Sequence, residues 1–128
     1  MFQFETSFES FVPVCLKIRK TAENNYLLIS VEGDADASSS IELDKQIRES
    51  FEGDVKNILV DCTNLNYISS AGLGVFMSYI EEVNEKAITF IIFGLSDKVS
   101  KVFDILGLDQ LLTIKETKED ALAEINGL

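Results

Sequence analysis

Ile58-Leu59-Val60-Asp61-Cys62-Thr63-Asn64-Leu65-Asn66-Tyr67-Ile68-Ser69-Ser70-Ala71-Gly72-Leu73-Gly74-Val75-Phe76 decides the reading of this chain. Its opening apolar run closed by a polar residue predicts a buried strand, and residues 62–69 read as a loop. From Ser70 onward Leu73, Phe76, Met77, Ile80 and Val83 recur at helical spacing, which predicts one buried helix face running to about Asn84. The order is therefore strand, loop, helix, with two hydroxyls at the helix entrance. The first turn of a helix leaves backbone N–H groups unpaired, and the macrodipole adds partial positive charge there. Ser69 or Ser70 is placed to cap it. Gly72 and Gly74 carry no side chain, so a second molecule is expected to approach the backbone closely. Such serines more commonly mean only a capped helix behind a strand. The sharper reading is a place for an anion, either bound or formed covalently as phosphoserine.

Working outward, the same alternation of strands and helices extends over the chain. Val14 to Lys20 alternates apolar and polar residues, and Tyr26 to Val31 reads as a more buried strand; a turn at Glu23-Asn24-Asn25 makes the two an antiparallel hairpin. Ser38, Ser39 and Ser40 are natural caps for a helix from Ile41 to Phe51. Ala87 to Phe93 has the β-branched and aromatic content of a strand buried on both faces. Ser96 opens a helix with Val99, Val102, Phe103 and Leu106 on one side, and Gly107 is placed for a left-handed cap. Leu111 to Ile114 is a short last strand, and Thr117-x-x-Asp120 resembles a capping box before a final helix. The predicted fold class is α/β, in the order β-β-α-β-α-β-α-β-α. Four to five strands form a mixed, mostly parallel sheet with helices packed against it. Residues 13–128 form that domain. Residues 1–12, with Phe2, Phe4, Phe8 and Phe11, are an N-terminal extension whose aromatics either cover the domain or meet a partner.

Composition narrows the chemistry. A chain of 128 residues with 46% hydrophobic content suits one domain with its own core. Its formal charge of −11 disfavours nucleic acid and anionic membrane as partners and suits a protein with a basic docking face. The absence of histidine excludes, within this chain, a Ser-His-Asp triad, a Cys-His pair and a histidine metal site. Cys15 and Cys62 have no C-x-x-C spacing and read as small buried hydrophobes. Gly72-Leu73-Gly74 lacks the third glycine of a dinucleotide fingerprint, because Met77 stands there. Neither a secretory start nor a membrane-length apolar run is evident, so the expected location is the cytoplasm. No cofactor, metal or enzymatic activity is expected.

The run Tyr67-Ile68-Ser69-Ser70-Ala71-Gly72-Leu73-Gly74-Val75-Phe76 resembles the signature of bacterial anti-sigma factor antagonists, the STAS domain. Gly33-Asp34-Ala35-Asp36, Val60-Asp61 and Val102-Phe103-Asp104-Ile105-Leu106-Gly107-Leu108-Asp109 agree with it, and the likeness covers roughly residues 13 to 126. The resemblance implies an interaction protein and not an enzyme. Its unphosphorylated form would bind an anti-sigma factor serine kinase and free a sigma factor. Phosphorylation would switch it off, and a metal-dependent PP2C-type phosphatase would reset it. Matched to the family pattern, the phosphoacceptor is Ser70, with Asp36 nearby and Gly72, Leu73 and Gly74 at the interface beside it. Many members carry Asp where this chain has Ser69, which leaves Ser69 as a possible second modified hydroxyl. The competing reading is a non-phosphorylated STAS scaffold or accessory subunit of a signalling or lipid-transport complex. A receiver-type phosphoprotein using Asp61 fits poorly: Asp34 and Asp36 mimic the required acidic pair only loosely, and no matching lysine is apparent near Gly94.

Overall fold

The computed structural model describes residues 16–127. The extension at 1–12 and Cys15 lie outside the described residues. The chain runs β1 (Leu16–Ala22), β2 (Leu27–Ala35), α1 (Ser40–Phe51), β3 (Asn57–Asp61), β4 (Leu65–Ile68), α2 (Ser70–Met77), α3 (Ile80–Glu85), β5 (Thr89–Phe93), α4 (Asp97–Ile105), a 3₁₀ turn (Leu108–Gln110), β6 (Thr113–Lys115) and α5 (Lys118–Asn126). The sheet order is β1-β2-β3-β5-β6, with β4 paired to β2 off that path. β1 is antiparallel to β2 and every other pairing is parallel. This is the expected mixed α/β sheet, with one strand more than foreseen and one expected helix in two pieces.

The apolar runs of β3 and β5 are buried because both sheet faces are covered beneath them. Ile58 and Val60 point into the larger core with Leu43, Ile47, Phe76, Phe90 and Phe103. Leu59, Ile91 and Phe93 point the other way, against Ala121 of α5. A strand between two such layers has no polar face, hence no alternation. β1 lies at the sheet edge and does alternate, with Leu16 buried and Lys17 and Arg19 exposed.

Two expectations need correction. Part of the segment read as a loop is the strand β4. Its buried residues, Leu65 and Ile68, lie three apart, so nothing in the sequence signals a period of two. The register explains this. Gly33 faces Leu65 and Asp34 faces Tyr67, so Asn66 is a bulged residue that returns Ile68 to the inner face. Gly33 itself takes φ +110°, a conformation suited to glycine. The helix expected from Ser70 to Asn84 breaks at Ser78-Tyr79. The Ser78 hydroxyl donates back to the Val75 carbonyl at 2.6 Å, a bond that competes with helix continuation. Tyr79 turns inward, donates to the Asp44 carboxylate at 2.7 Å and packs on Phe51. Consequently Met77, assigned to the buried face, is 49% exposed.

Candidate functional site

The parallel strands deliver several chain turns to one end of the sheet. There β2 leads into the turn of residues 36–39, and β4 leads into Ser69 and α2. The two are tied together: the Ser69 N–H donates to the Ala35 carbonyl at 2.8 Å, so Asp36 follows directly on the residue that anchors the α2 entrance.

At that entrance the two serines take different roles. Ser69 is the cap. Its backbone is extended, and its hydroxyl oxygen accepts from the Gly72 N–H at 3.2 Å. Its carbonyl accepts from the Leu73 N–H at 2.9 Å. Ser70 is the first helical residue and is exposed. Among the described residues no hydrogen bond engages its hydroxyl. The first turn of α2 holds no acidic side chain, so its partial positive charge meets no carboxylate of its own helix. The geometry thus presents a free hydroxyl on an electropositive helix end.

The glycines divide as well. A Cβ on Gly72 would stand 2.8 Å from Ile68 Cγ1, 3.1 Å from the Ala35 carbonyl oxygen and 3.2 Å from Ala35 Cβ. Gly72 is therefore buried for close helix–sheet packing, and its missing side chain does not open the backbone to another molecule, contrary to expectation. Leu73 is also buried, in the core. Gly74 alone is exposed with open space around it. Ser70, Ala71, Gly74, Met77 and Ser78 make a continuous exposed strip of α2 and its end.

Asp36 is occupied locally. Its Oδ1 accepts from the Ser38 and Ser39 N–H groups at 3.0 and 2.9 Å and from both their hydroxyls. Its carbonyl accepts from the Ser40 N–H at 2.9 Å. It thus does the capping work expected of the three serines: Ser39, the residue before α1, makes no side-chain cap bond. The signal for this was Asp two and three residues before the serines, the pattern of an Asx turn.

Cys62 is fully buried, and burial above all, with the neighbouring Asp61 charge, pushes its thiol up, out of reach of ordinary thiolate chemistry. Asp61 Oδ1 accepts from the Thr63 N–H at 2.9 Å, a turn-forming bond. Among the described residues no group of His, Cys, Asp or Glu is arranged to hold a metal ion, and no helix is long and apolar enough to cross a membrane.

A mixed sheet with helices on both faces, and a capped helix offering a serine beside a loop from the neighbouring strand, defines a single α/β domain organised around an exposed helix entrance. The STAS domain family matches residues 17–121, and the chain belongs to that family. It is 28% identical over 104 residues to the anti-sigma-B factor antagonist of Staphylococcus aureus (strain NCTC 8325 / PS 47), covering 81% of this chain and 96% of that protein. To the anti-sigma-B factor antagonist of Listeria monocytogenes it is 29% identical over 110 residues, 84% and 91% of the two chains. Among solved structures, an anti-sigma factor antagonist from Mycobacterium paratuberculosis superposes with TM-score 0.81 at 17% identity, covering 90% of this chain and 97% of that one. The unphosphorylated antagonist SpoIIAA gives 0.73 at 22% identity, with coverages of 88% and 98%.

Proposed function

We propose that this protein is an anti-sigma factor antagonist that works as a phosphoswitch, with Ser70 as the phosphoacceptor. Unphosphorylated, it binds an anti-sigma factor serine kinase through the strip around Ser70 and so releases a sigma factor. Phosphorylated, it lets the kinase go until a PP2C-type phosphatase removes the group. The observation that carries the reading is the division between the two serines: Ser69 is spent on the cap, and Ser70 stands exposed with its hydroxyl unengaged. That the relatives are anti-sigma-B factor antagonists supports the partner class.

The physics of the switch is electrostatic. A phosphate on Ser70 adds about −1.5 to −2 charges. On this domain that charge sits at a helix N-terminus, where it is favourable by a fraction of a kcal/mol to ~2 kcal/mol. No large refolding is required. At the interface the phosphate faces a kinase whose own site holds nucleotide phosphates, and like-charge juxtaposition costs several kcal/mol. Each ~1.4 kcal/mol is tenfold in affinity, so a single group separates bound from free.

Incubation with the anti-sigma factor kinase and ATP, followed by mass spectrometry, tests the assignment. The wild type and Ser69→Ala gain one phosphate and Ser70→Ala gains none. A Ser70→Ala variant phosphorylated to wild-type stoichiometry overturns the site, and a Ser70→Glu variant that binds the kinase as tightly as wild type overturns the switch.

A further inference from the structure

The end of the sheet opposite Ser70 carries a groove. β5 and β6 are parallel, so Thr89 and Thr113 begin at that end, and α3 and the 3₁₀ turn arrive there before them. Between these segments lies a hollow of about 400 Å³, within the ~300–1,000 Å³ usual for a binding cleft. Half-buried Ile80 and Val83 of α3 line one side and Leu111 the other, over buried Ile88 and Phe90. Apolar surface continues beyond it. Leu111, Ile105 and Leu106 are 61%, 81% and 54% exposed, half of the six large hydrophobic side chains exposed among the described residues. α4 runs back from the Phe93 end of the sheet, so Ile105 and Leu106 reach the same end as Leu111. The groove also holds Ala87, at φ +54° the one non-glycine residue with positive φ among the described residues. Glycine takes that backbone more readily than alanine, so the turn by itself gives no reason for a methyl group there.

Charge selects the occupant. Glu81 and Glu85 on α3 and Asp109 in the 3₁₀ turn stand exposed around this end, and none enters an ion pair among the described residues. Glu124 lines the groove itself. The lysines nearby do not offset them. Lys86 and Lys115 are held by Glu82 and Glu124, and Lys56, whose carbonyl accepts from the Thr89 N–H, follows exposed Glu52 and Asp54. Further up α4, Lys98 and Lys101 are matched by Asp97 and Asp104. A second copy of this chain would bring the same acidic rim and be repelled. A helix with apolar residues at i, i+3, i+4 and i+7 and lysines or arginines on its flanks meets both the groove and its rim. We propose that this end of the domain docks a basic amphipathic helix of a partner protein. The five residues of β5, roughly 16 Å at ~3.3 Å each, separate the groove from the Ser70 end. A helix seated here therefore leaves Ser70 uncovered, and its docking does not depend on Ser70 being modified.

The test titrates the ¹⁵N-labelled full chain with a synthetic peptide whose leucines fall at i, i+3, i+4 and i+7 and whose other residues are lysine. Salt is held at about 0.15 M, where exposed charges more than ~8 Å apart are largely screened. The expected result is amide shifts at Val83, Asn84, Thr89 and Thr113 and none at Ser70, Ala71 and Gly74. A control peptide with glutamate in place of lysine binds at least about tenfold more weakly, a difference of ~1.4 kcal/mol. Leu111→Ser with Ile105→Ser weakens the lysine peptide, as does Glu81→Lys with Glu85→Lys; all four side chains are exposed, and an otherwise unchanged spectrum shows the fold intact. Ser70→Glu binds the peptide as wild type does. Absence of shifts at the groove, shifts on the Ser70 strip, shifts scattered over acidic residues elsewhere, or equal binding of the two peptides overturns the proposal. So do concentration-dependent shifts at the groove in the chain alone, which would make a second copy the occupant.

Discussion

Two helices of this domain begin with serines at the same end of the sheet, and they are built differently. At α1 the sequence offers Ser38, Ser39 and Ser40, yet Asp36 caps the helix and all three hydroxyls are bonded: Ser38 to Asp36, Ser39 to Asp36 and the Asp34 carbonyl, Ser40 to the Ala37 carbonyl. At α2 there are two serines, one caps, and the other has no bond to give up among the described residues. Serine-rich composition is therefore no guide to a modifiable site. What matters is whether an adjacent residue has already satisfied the helix end, so that a hydroxyl is left over. At α1 the carboxylate binds the turn together; at α2 the leftover hydroxyl faces outward.

The sharpest way to break this contrast is phosphorylation itself. Ser70→Ala is expected to abolish phosphate uptake completely, while Ser38→Ala and Ser39→Ala leave it unchanged, read by intact mass after kinase treatment. Kinase binding measured by titration calorimetry should fall at least about tenfold in Ser70→Glu, the effect of a few kcal/mol of like-charge contact. Next in size are the two glycines behind and beyond Ser70. Gly72→Ala forces a methyl into Ile68 and Ala35 and should destabilise the fold by about 1–3 kcal/mol in urea melts. Gly74→Ala meets nothing and should stabilise α2 by about 0.5–1 kcal/mol. Smaller again are the caps. Asp36→Ala and Ser69→Ala should each cost about 0.5–2 kcal/mol, and Ser39→Ala less than Asp36→Ala. The smallest effect concerns alkaline pH. Burial and the bond to Asp44 raise Tyr79 above the ordinary tyrosine range. The folded state then holds this proton more tightly than the unfolded state, so its contribution is complete below the ordinary tyrosine range and is lost as pH rises through it. Thermal melts of Tyr79→Phe should show a shallower alkaline decline than wild type.

Much of this was legible beforehand, for reasons that differ by element. β3, β5, α4 and α5 carry their own signals: apolar runs, helical spacing, and the caps Ser96 and Thr117, both of which bond as expected to Val99 and Asp120 N–H groups. β4 was not legible, because a bulge at Asn66 hides its alternation and its partner, the end of β2, is distant in sequence. The break between α2 and α3 was hidden for a related reason. Tyr79 is pulled inward by Asp44, a contact across 35 residues that no local pattern encodes. At the candidate site, the motif located the helix entrance but did not separate its residues. Only packing distinguishes Gly72 from Gly74, and only hydrogen bonding distinguishes Ser69 from Ser70.

The Tyr79 bond has a mechanical meaning for the switch proposed above. It clamps the far end of α2 to α1 through Asp44, and Asp44 is held in turn by Arg48 one helical turn on. Together with the Ser69–Ala35 bond at the near end, this makes α2 a short beam fixed at both supports. On the proposed switch, charge added to such a beam would alter what it repels without bending it, and the message would leave through the surface it shows and not through a change of shape.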